Sequence, residues 1–386
     1  MNKKQIYHQG TRKKVVHITT VHHPYDPRIY YKQCMSLAEN GYEVTLIAQD
    51  TRDKTEVNNI NHIRLKTYKS RLKRMLFGVW DAYKKAKEAK GDIYVFHDPE
   101  LIIAASWLKR KNNTVIYDIH EDYVTSILQK KYLTPTLRKV AARGYKLIEK
   151  FFTRNMEKSL AEKYYKDIYP NGTCILNYPL MDKKFFEYDR TAKPLSNKVL
   201  YTGNVNGDRG AFIHANIPNI NQNIKVQYVG KCVKSIAHQI MDVAKENKDN
   251  IQIMGVDQFI VKEEMEKMYT KENWLAGIAV FPPTEHYMKK ELTKFFEYMN
   301  VGLPIICSNF PVWKEFIEKY ECGIVVDPYN EQEINEALQK LIDNPEIGYE
   351  MGKNGKKAVA SELNWEVEEG KLLDWYDQLL NKEVKI

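Results

Sequence analysis

The sequence predicts an α/β protein with two tandem, Rossmann-like, doubly wound domains that face each other across a cleft. Its 386 residues suit two domains of ordinary size, and 43% hydrophobic with 28% charged residues is typical of a globular chain. Apolar, β-branched runs recur in two separate series along the chain. Amphipathic segments lie between most of these runs, which is the pattern of βαβ units and parallel sheets.

The first series occupies the N-terminal half and predicts strands at Val15–Thr20, Glu43–Ala48, Ile63–Thr67, Ile93–His97 and Thr114–Ile119. Between and after them the periodicity predicts helices at Ile29–Asn40 and Leu101–Lys111, and a long helical region from about Pro135 to Lys166. Proline restricts the residue before it, so Asn177-Tyr178-Pro179 marks the expected joint. We therefore expect an N-terminal domain over residues 1–178.

The second series predicts a C-terminal domain over residues 179–364. Its expected strands are Lys198–Thr202, Lys225–Val229, Ile251–Met254, Gly277–Phe281, Pro304–Cys307 and Gly323–Val326. Its expected helices include Lys262–Lys271, Thr293–Asn300 and Glu331–Ile342. Ligands of such sheets bind at the carboxyl ends of the strands, so loops at those ends are the places to search for a site.

The composition and the N-terminal segment bear on whether the protein spans a membrane, is exported or binds a metal. The sequence contains no run of about 18 uninterrupted apolar residues, so we expect no membrane-spanning helix. The basic start MNKKQIYHQGTRKK precedes only the short run VVHITTV, which indicates a buried strand rather than a signal peptide. The five cysteines are scattered without metal-ligand spacing, so we expect reduced thiols in a cytoplasmic protein and no metal site.

The net charge of +9 is concentrated in two segments. Residues 64–90 carry ten Lys/Arg against two acidic residues, and residues 130–166 carry eleven against three, so the remainder is net acidic. Cations alternate with apolar residues in 71–77 and 137–152, which predicts peripheral contact with an anionic membrane surface, such as the inner face of the cell membrane. The alternative is that these segments are ordinary solvated helix faces with no membrane contact. Nucleic-acid binding is disfavoured, because no RRM, KH or helix-turn-helix pattern appears.

Eight stretches of the chain carry recognisable motifs, in this order: HHPYDPRIYYKQCMSLAENGYEVTLIAQD (22–50), DIYVFHDPELIIAA (92–105), VIYDIHEDY (115–123), LNYPL (176–180), LYTGNVNGDRG (200–210), TKFFEYMNVGLPIICS (293–308), CGIVVDP (322–328) and MGKNGKKAVASELNW (351–365). Together they resemble the family-4 retaining glycosyltransferases of the GT-B architecture, of the bacterial surface-polysaccharide type. The likeness covers nearly the whole chain. It implies an acceptor-side N-terminal domain, a donor-binding C-terminal domain, and a terminal helix, 365–386, that packs back across the junction.

The resemblance also implies a reaction. A sugar would pass, with retention of configuration, from a nucleoside diphosphate sugar (UDP favoured) to a hydroxyl of a lipid-linked or surface glycan. No cofactor or metal is expected. Two other interpretations remain open: a degenerate GT-B protein that binds a nucleotide sugar or a partner without transfer, and a sugar-nucleotide epimerase, which would turn over donor without an acceptor.

Candidate donor-binding residues lie in two segments of the second domain. Gly203, Asn204 and Arg209 follow a strand, where glycines let backbone amides approach an anion; a tight turn with a surface arginine is the alternative. Thr293 is a plausible N-cap of the next helix, with Lys294 and Glu297 inside it. The alternative for that pair is an i,i+3 contact on a solvated face.

The resemblance gives these residues roles. It places Arg209 and Lys294 at the donor diphosphate, as catalytic residues, and Glu297 at the ribose hydroxyls. Many family members carry two glutamates separated by seven residues. The second aligns with Glu297, and the first would fall on Lys289, which is not acidic. Some have arginine where this chain has Asn204. Both departures motivate the degenerate-scaffold interpretation.

Candidate acceptor-side residues lie at strand ends of the first domain. His97 and His120 each follow a strand beside a carboxylate, and an imidazole there can hydrogen-bond a sugar hydroxyl. His120 resembles the histidine that the family places near the reacting sugar, which makes it a candidate catalytic residue; a structural histidine is the alternative. Asp26 and Arg28 are further candidates, although Asp26 equally suits a helix cap.

Overall fold

The computed structural model describes residues 12–49, 56–130 and 134–382. Most of the segment MNKKQIYHQGTRKK and the last four residues of the expected terminal helix lie outside the described residues. The described chain divides into two compact units. Unit 1 contains the residues up to Asn177 together with the helix Trp365–Lys382, and unit 2 contains Tyr178–Asn364.

Unit 1 is built around an eight-stranded sheet in the order β3-β4-β2-β1-β5-β6-β7-β8. All neighbours are parallel except β3 and β4. The order reverses between β1 and β5, which makes that pair the topological switch point. The strands are β1 Lys14–Ile18, β2 Glu43–Gln49, β3 Glu56–Val57, β4 Ile60–Leu65, β5 Ile93–Phe96, β6 Thr114–Ile119, β7 Glu157–Leu160 and β8 Thr173–Cys174.

Unit 2 is built around a six-stranded sheet in the order β11-β10-β9-β12-β13-β14, with every neighbouring pair parallel. Its switch point lies between β9 and β12. The predicted fold class, two tandem doubly wound α/β domains, is therefore confirmed. The strands are β9 Lys198–Thr202, β10 Lys225–Cys232, β11 Ile251–Val256, β12 Ala276–Ala279, β13 Ile305–Ser308 and β14 Gly323–Val326.

Helices flank both sheets. Those of unit 1 are Pro27–Cys34 (π-helical, continuing as Met35–Glu39), Arg71–Lys73, Arg74–Gly78, Val79–Ala89, Ile102–Leu108, Tyr123–Leu128, Pro135–Phe152 and Trp365–Lys382. Those of unit 2 are Lys183–Phe186, Ala211–Ala215, Ile217–Ile220, Lys234–Ala244, Lys262–Tyr269, Glu285–Met288, Thr293–Asn300, Pro311–Tyr320, Glu331–Asp343 and Pro345–Ser361. Among the described helices, none has both the length and the hydrophobicity that crossing a bilayer requires.

The terminal helix belongs to the core of unit 1. Trp365, Leu372 and Tyr376 are buried in one cluster with Ile29 and Val44. Aromatic side chains remove large apolar areas from water, so this helix contributes substantially to the stability of unit 1.

One predicted element is wrong. The helix that begins at Pro135 ends at Phe152 rather than near Lys166, and Thr153 closes it by donating its hydroxyl and its backbone N–H to the Glu149 carbonyl. The segment Glu157–Leu160 is strand β7, between β6 and β8. Its sequence, EKSL, lacks the apolar run of the other strands. It forms a strand because its backbone pairs with the two neighbouring strands, not because its residues favour one.

Candidate functional site

Two cationic side chains of unit 2 converge on the glycine that follows β9. Gly203 has φ +99°, and a Cβ at this position would lie 2.6 Å from Lys294 Nζ and 3.8 Å from Arg209 Nη1. A side chain here would be both strained and in collision with the lysine. Gly203, Arg209 and Lys294, predicted as donor-binding residues, are thus brought together at the switch point of the sheet.

Hydrogen bonds and a glycine turn fix the position of Arg209. The Asn206 side chain accepts a hydrogen bond from the Arg209 backbone N–H at 3.0 Å. Gly210, at φ +74°, follows; a Cβ there would lie only 1.9 Å from the Val280 carbonyl oxygen, so only glycine fits. The guanidinium donates through Nε to the Tyr287 hydroxyl at 2.8 Å. Tyr287 is a partner that the sequence analysis did not identify.

Lys294 is a buried ammonium without a carboxylate partner. Its Nζ lies 5.1 Å from the centre of the Tyr201 ring, a cation–π distance, and donates no hydrogen bond to the described residues. Burial and the charge of Arg209 lower the pKa of Lys294 to about 8, although Glu297 opposes the change. Two neighbouring cations, one of them buried, favour an anionic ligand between them.

Glu297 lies one turn further along the same helix. Its Oε2 accepts a hydrogen bond from the Tyr269 hydroxyl at 2.7 Å, and that hydroxyl lies 3.0 Å from Thr202 Oγ1, directly before Gly203. The alternative of a solvated Lys294–Glu297 pair is therefore wrong, because Lys294 is buried and Glu297 is bound to Tyr269.

Two other predicted donor-side residues have less specific places. Thr293 is exposed and begins its helix as the first helical residue, so its prediction as N-cap is wrong. The cap position belongs to Leu292, which is buried and fixes the entry of the chain without a side-chain hydrogen bond. Asn204 is exposed, and only its backbone carbonyl is engaged, as acceptor for the Tyr201 hydroxyl.

The unit 2 site can thus supply two positive charges and one carboxylate around a strand-end glycine. Cations stabilise phosphate oxygens, and a partly exposed carboxylate accepts hydrogen bonds from vicinal hydroxyls. This combination suits a nucleoside diphosphate.

A second cluster lies in unit 1, around the carboxylate of Asp118 near the end of β6. This side chain is fully buried and accepts six hydrogen bonds. The donors are Arg28 Nη2 (2.7 Å) and Ser159 Oγ (2.7 Å) to Oδ1, and Arg28 Nε (3.1 Å), Gln33 Nε2 (2.8 Å), His97 Nδ1 (3.1 Å) and His120 Nε2 (2.7 Å) to Oδ2. Burial opposes ionisation, but Arg28 and His120 hold the pKa of Asp118 well below its usual range.

The ionised carboxylate fixes the tautomers of the two histidines. Because Asp118 only accepts, His120 carries a proton on Nε2 and His97 on Nδ1. His97 is fully buried, and burial lowers its pKa; its Nε2 lies 3.0 Å from Nδ1 of the buried His17. The His120 side chain is 11% exposed, and in the neutral ring its Nδ1 is a hydrogen-bond acceptor. Of these histidines, His120 is the one placed to meet a ligand, whereas the burial of His97 favours a positioning role.

The two other acceptor-side candidates belong to the same cluster. Asp26 Oδ1 accepts hydrogen bonds from the backbone N–H groups of Arg28 (2.9 Å) and Ile29 (3.0 Å), so the capping interpretation of Asp26 is confirmed. Arg28 is buried, and its guanidinium binds Asp118 through two nitrogens. This pairing gives Arg28 a structural task; contact with an acceptor stays a prediction for both residues.

The sequence analysis missed His22 and the part played by Asp98. The His22 and His120 ring centres are 4.9 Å apart. His22 Nδ1 lies 3.5 Å from Asp26 Oδ2, and its Nε2 lies 3.5 Å from Asp98 Oδ1. Burial opposes protonation, but the interactions with Asp26 and Asp98 raise the pKa of His22. A positive charge is therefore favoured beside His120, which the adjacent His22-His23 pair alone did not indicate.

Three residues of the same cluster are of the types that bind metal ions. The ligand atoms of His97, Asp118 and His120 lie within 4.8 Å of one another. However, the guanidinium of Arg28 already neutralises the carboxylate, and both of its oxygens are hydrogen-bonded, so a cation would have to displace those donors. The residues present fit a hydrogen-bonded cluster better than a metal site.

The fold and the unit 2 site together define a class: a protein of two Rossmann-like units with a candidate anion-binding site at the switch point of the second sheet. Residues 221–358 match the family model described as Glycosyl transferases group 1. That range includes Lys294 and Glu297. A comparison of the sequence with curated proteins finds no match.

Solved structures share the fold over nearly the whole chain. They include sucrose-phosphate synthase from Thermosynechococcus elongatus (TM-score 0.72, 19% identity, covering 96% of this chain and 100% of that one). WaaG, a glycosyltransferase involved in lipopolysaccharide biosynthesis, is also similar (TM-score 0.66, 14%, 93% and 98%). So is HepE from Anabaena in complex with UDP and glucose (TM-score 0.66, 12%, 95% and 100%). The family match and the shared fold support a GT-B glycosyltransferase.

Proposed function

We propose that the protein is a retaining glycosyltransferase that moves a sugar from a nucleoside diphosphate sugar, UDP favoured, to a hydroxyl of a lipid-linked or surface glycan. The observation that carries the proposal is the convergence of Arg209 and Lys294 over Gly203. When the donor bond breaks, negative charge grows on the diphosphate leaving group. Preorganised cations stabilise that charge more than they stabilise the intact donor, which lowers the barrier.

The remaining site residues have complementary roles in this proposal. Glu297, oriented by Tyr269, accepts hydrogen bonds from the ribose hydroxyls. His120 presents Nδ1 to a hydroxyl of the donor sugar or the acceptor, while Asp118 holds its ring. Because Arg209 and Lys294 supply the positive charge, the reaction needs no metal ion.

The donor base and the acceptor class rest on the similar structures. HepE is described as a complex with UDP and glucose, which favours UDP here. WaaG is described as involved in lipopolysaccharide biosynthesis, which favours a lipid-linked or surface glycan acceptor.

Calorimetric titration tests donor binding. The chain would be titrated with UDP, GDP, CDP, dTDP and ADP, with and without EDTA. We expect one nucleotide to bind in EDTA, and Arg209→Ala and Glu297→Ala to weaken that binding at least tenfold. Lys262→Ala is the matched control, since that lysine is 76% exposed in the same unit. Equal loss in the control, or binding that needs a divalent ion, would overturn the site assignment. The anomeric configuration of the product, read by NMR, tests retention.

A degenerate GT-B scaffold is the second candidate, and one observation favours it. Lys289, at the position where many family members carry glutamate, is exposed and presents an ammonium in place of a carboxylate. This candidate predicts tight binding of a UDP-sugar with neither hydrolysis nor transfer across a panel of glycan and polyprenyl acceptors. Turnover of any donor by the wild type that is lost in Arg209→Ala excludes it.

A further inference from the structure

The two cations that converge on Gly203 repel each other when no ligand lies between them. A Cβ at Gly203 would lie 2.6 Å from Lys294 Nζ and 3.8 Å from Arg209 Nη1, so both charges reach the same point. In the part of the chain that the structure describes, neither cation forms an ion pair with a carboxylate. A group without negative charge must therefore keep the arginine side chain beside the lysine.

The hydroxyl of Tyr287 holds the guanidinium by a hydrogen bond. Its oxygen accepts from Arg209 Nε at 2.8 Å, and the guanidinium carbon lies 5.8 Å from the centre of the Tyr287 ring. A phenol is a neutral acceptor, so it orients the guanidinium and leaves the positive charge available to an anion. A carboxylate in the same place would neutralise that charge, as Asp118 neutralises Arg28 in unit 1.

Packing fixes Tyr287 itself. It lies in the short helix Glu285–Met288, which follows β12, and the Thr284 hydroxyl caps that helix by accepting a hydrogen bond from the Tyr287 N–H at 3.4 Å. The ring is 8% exposed and packs edge to face on Phe281, with ring centres 5.1 Å apart. Phe281 is fully buried and packs in turn on Trp313. A ring anchored in this way presents its hydroxyl at a fixed point.

We propose that Tyr287 is a positioning residue of the donor site, whose hydroxyl holds Arg209 beside Lys294 for the diphosphate and leaves both positive charges intact. The inference rests on the proposed function, because it concerns the same site. An arginine that is repelled by a neighbouring ammonium would otherwise adopt many rotamers, and ordering it on binding costs free energy. The hydrogen bond to Tyr287 removes part of that cost before the ligand binds.

A double-mutant cycle tests whether Tyr287 acts through Arg209. The wild type, Tyr287→Phe, Arg209→Ala and the double variant would be titrated calorimetrically with UDP and with inorganic pyrophosphate, in EDTA. Tyr287→Phe keeps the buried ring and removes only the hydroxyl, so the affinity for both ligands should fall about fivefold, the scale of one hydrogen bond. In the Arg209→Ala background the same substitution should change the affinity by less than about twofold.

The titration of Lys294 gives a second readout, which a purely structural role of Tyr287 would leave unchanged. Burial and the charge of Arg209 lower the pKa of Lys294, whereas Glu297 raises it. When Tyr287→Phe lets Arg209 move away, the pKa of Lys294 should rise towards its ordinary value. The lysine is then already protonated at pH 8, so UDP binding in two buffers at this pH should take up fewer protons than in the wild type.

Tyr329→Phe is the matched control, because Tyr329 lies in the same unit and is 69% exposed. It should bind both ligands as the wild type does. Unchanged affinity or unchanged proton uptake in Tyr287→Phe overturns the inference, as does an equal loss in the control or in the Arg209→Ala background. A wild-type chain that binds neither UDP nor pyrophosphate overturns the proposed function and this inference with it. Binding that does not depend on Tyr287 overturns this inference alone.

Discussion

Lys294 is expected to destabilise the protein in the absence of a ligand, and Lys294→Met tests this. Methionine keeps an unbranched apolar stem and removes the ammonium group, whose charge lies beside Arg209. The pKa of Lys294 falls from the usual 10.5 to about 8 in the folded chain. The unfolded chain therefore binds this proton more tightly than the folded one.

The magnitude and sign follow from linkage. At about 1.4 kcal/mol per pKa unit, a change from 10.5 to about 8 corresponds to a cost on the order of 3 kcal/mol for keeping the ammonium at pH 7. This cost is complete below pH 8 and disappears as the pH rises from 8 to 10.5, because the unfolded state binds the proton throughout that window. Lys294→Met should thus unfold at a temperature several degrees higher at pH 7, at about 2–4 °C per kcal/mol, and the advantage should shrink towards pH 10.

The assay is thermal and urea unfolding of wild type and variant at pH 7 and pH 9.5, each with and without UDP. We expect Lys294→Met to be more stable without UDP at pH 7 and to lose the shift that UDP gives the wild type. Lys262→Met is the control, because it replaces a lysine of the same unit that is 76% exposed. A variant that is less stable than the wild type at pH 7, or that keeps the full UDP shift, would refute the reasoning.

Three more outcomes are expected. UDP affinity should fall as the pH rises above about 8, because a bound diphosphate favours the protonated form of Lys294. Calorimetric titration with UDP at pH 8 in two buffers should show an uptake of about half a proton on binding. No proton uptake would contradict the assignment of Lys294 to the diphosphate. Glu297→Gln should cost about 1.5–3 kcal/mol of UDP affinity but leave the affinity for inorganic pyrophosphate unchanged, since the carboxylate is assigned to the ribose. Asp118→Asn should destabilise unit 1 by about 3–5 kcal/mol in urea unfolding, because it leaves the buried Arg28 without its counter-charge; a loss below 1 kcal/mol would contradict this.

Much of the fold could be predicted because most of its strands are continuous apolar runs. The bounds of Thr114–Ile119, Lys198–Thr202 and Gly323–Val326 agree with the structure to the residue. Strand β7 was missed because half of EKSL is charged and the preceding helical pattern leads into it. This segment is a strand because its backbone pairs with β6 and β8. Such non-local pairing cannot be recognised in a short window of sequence.

The site divides in the same way into local and long-range features. The helix cap at Asp26 involves residues within three positions of each other, so it could be predicted from the sequence. The pairing of Arg28 with Asp118 spans 90 residues, and Lys294 meets Arg209 only because β9 and β12 are neighbours at the switch point. The resemblance supplied the identity of these residues, whereas their burial, tautomers and partners required the fold.

The two clusters differ in how buried charge is compensated, and this difference separates their roles. In unit 1 the guanidinium of Arg28 is neutralised by Asp118, so the pair is complete without a ligand. In unit 2 the ammonium of Lys294 lies beside a second cation and has no ion pair with any described carboxylate. A fold tolerates such a cost where a ligand repays it, because an uncompensated buried charge is otherwise strongly unfavourable. The electrostatics of the proposed donor site therefore favour an anionic partner, whereas the Asp118 cluster is complete without a ligand and orients His120 through a hydrogen bond.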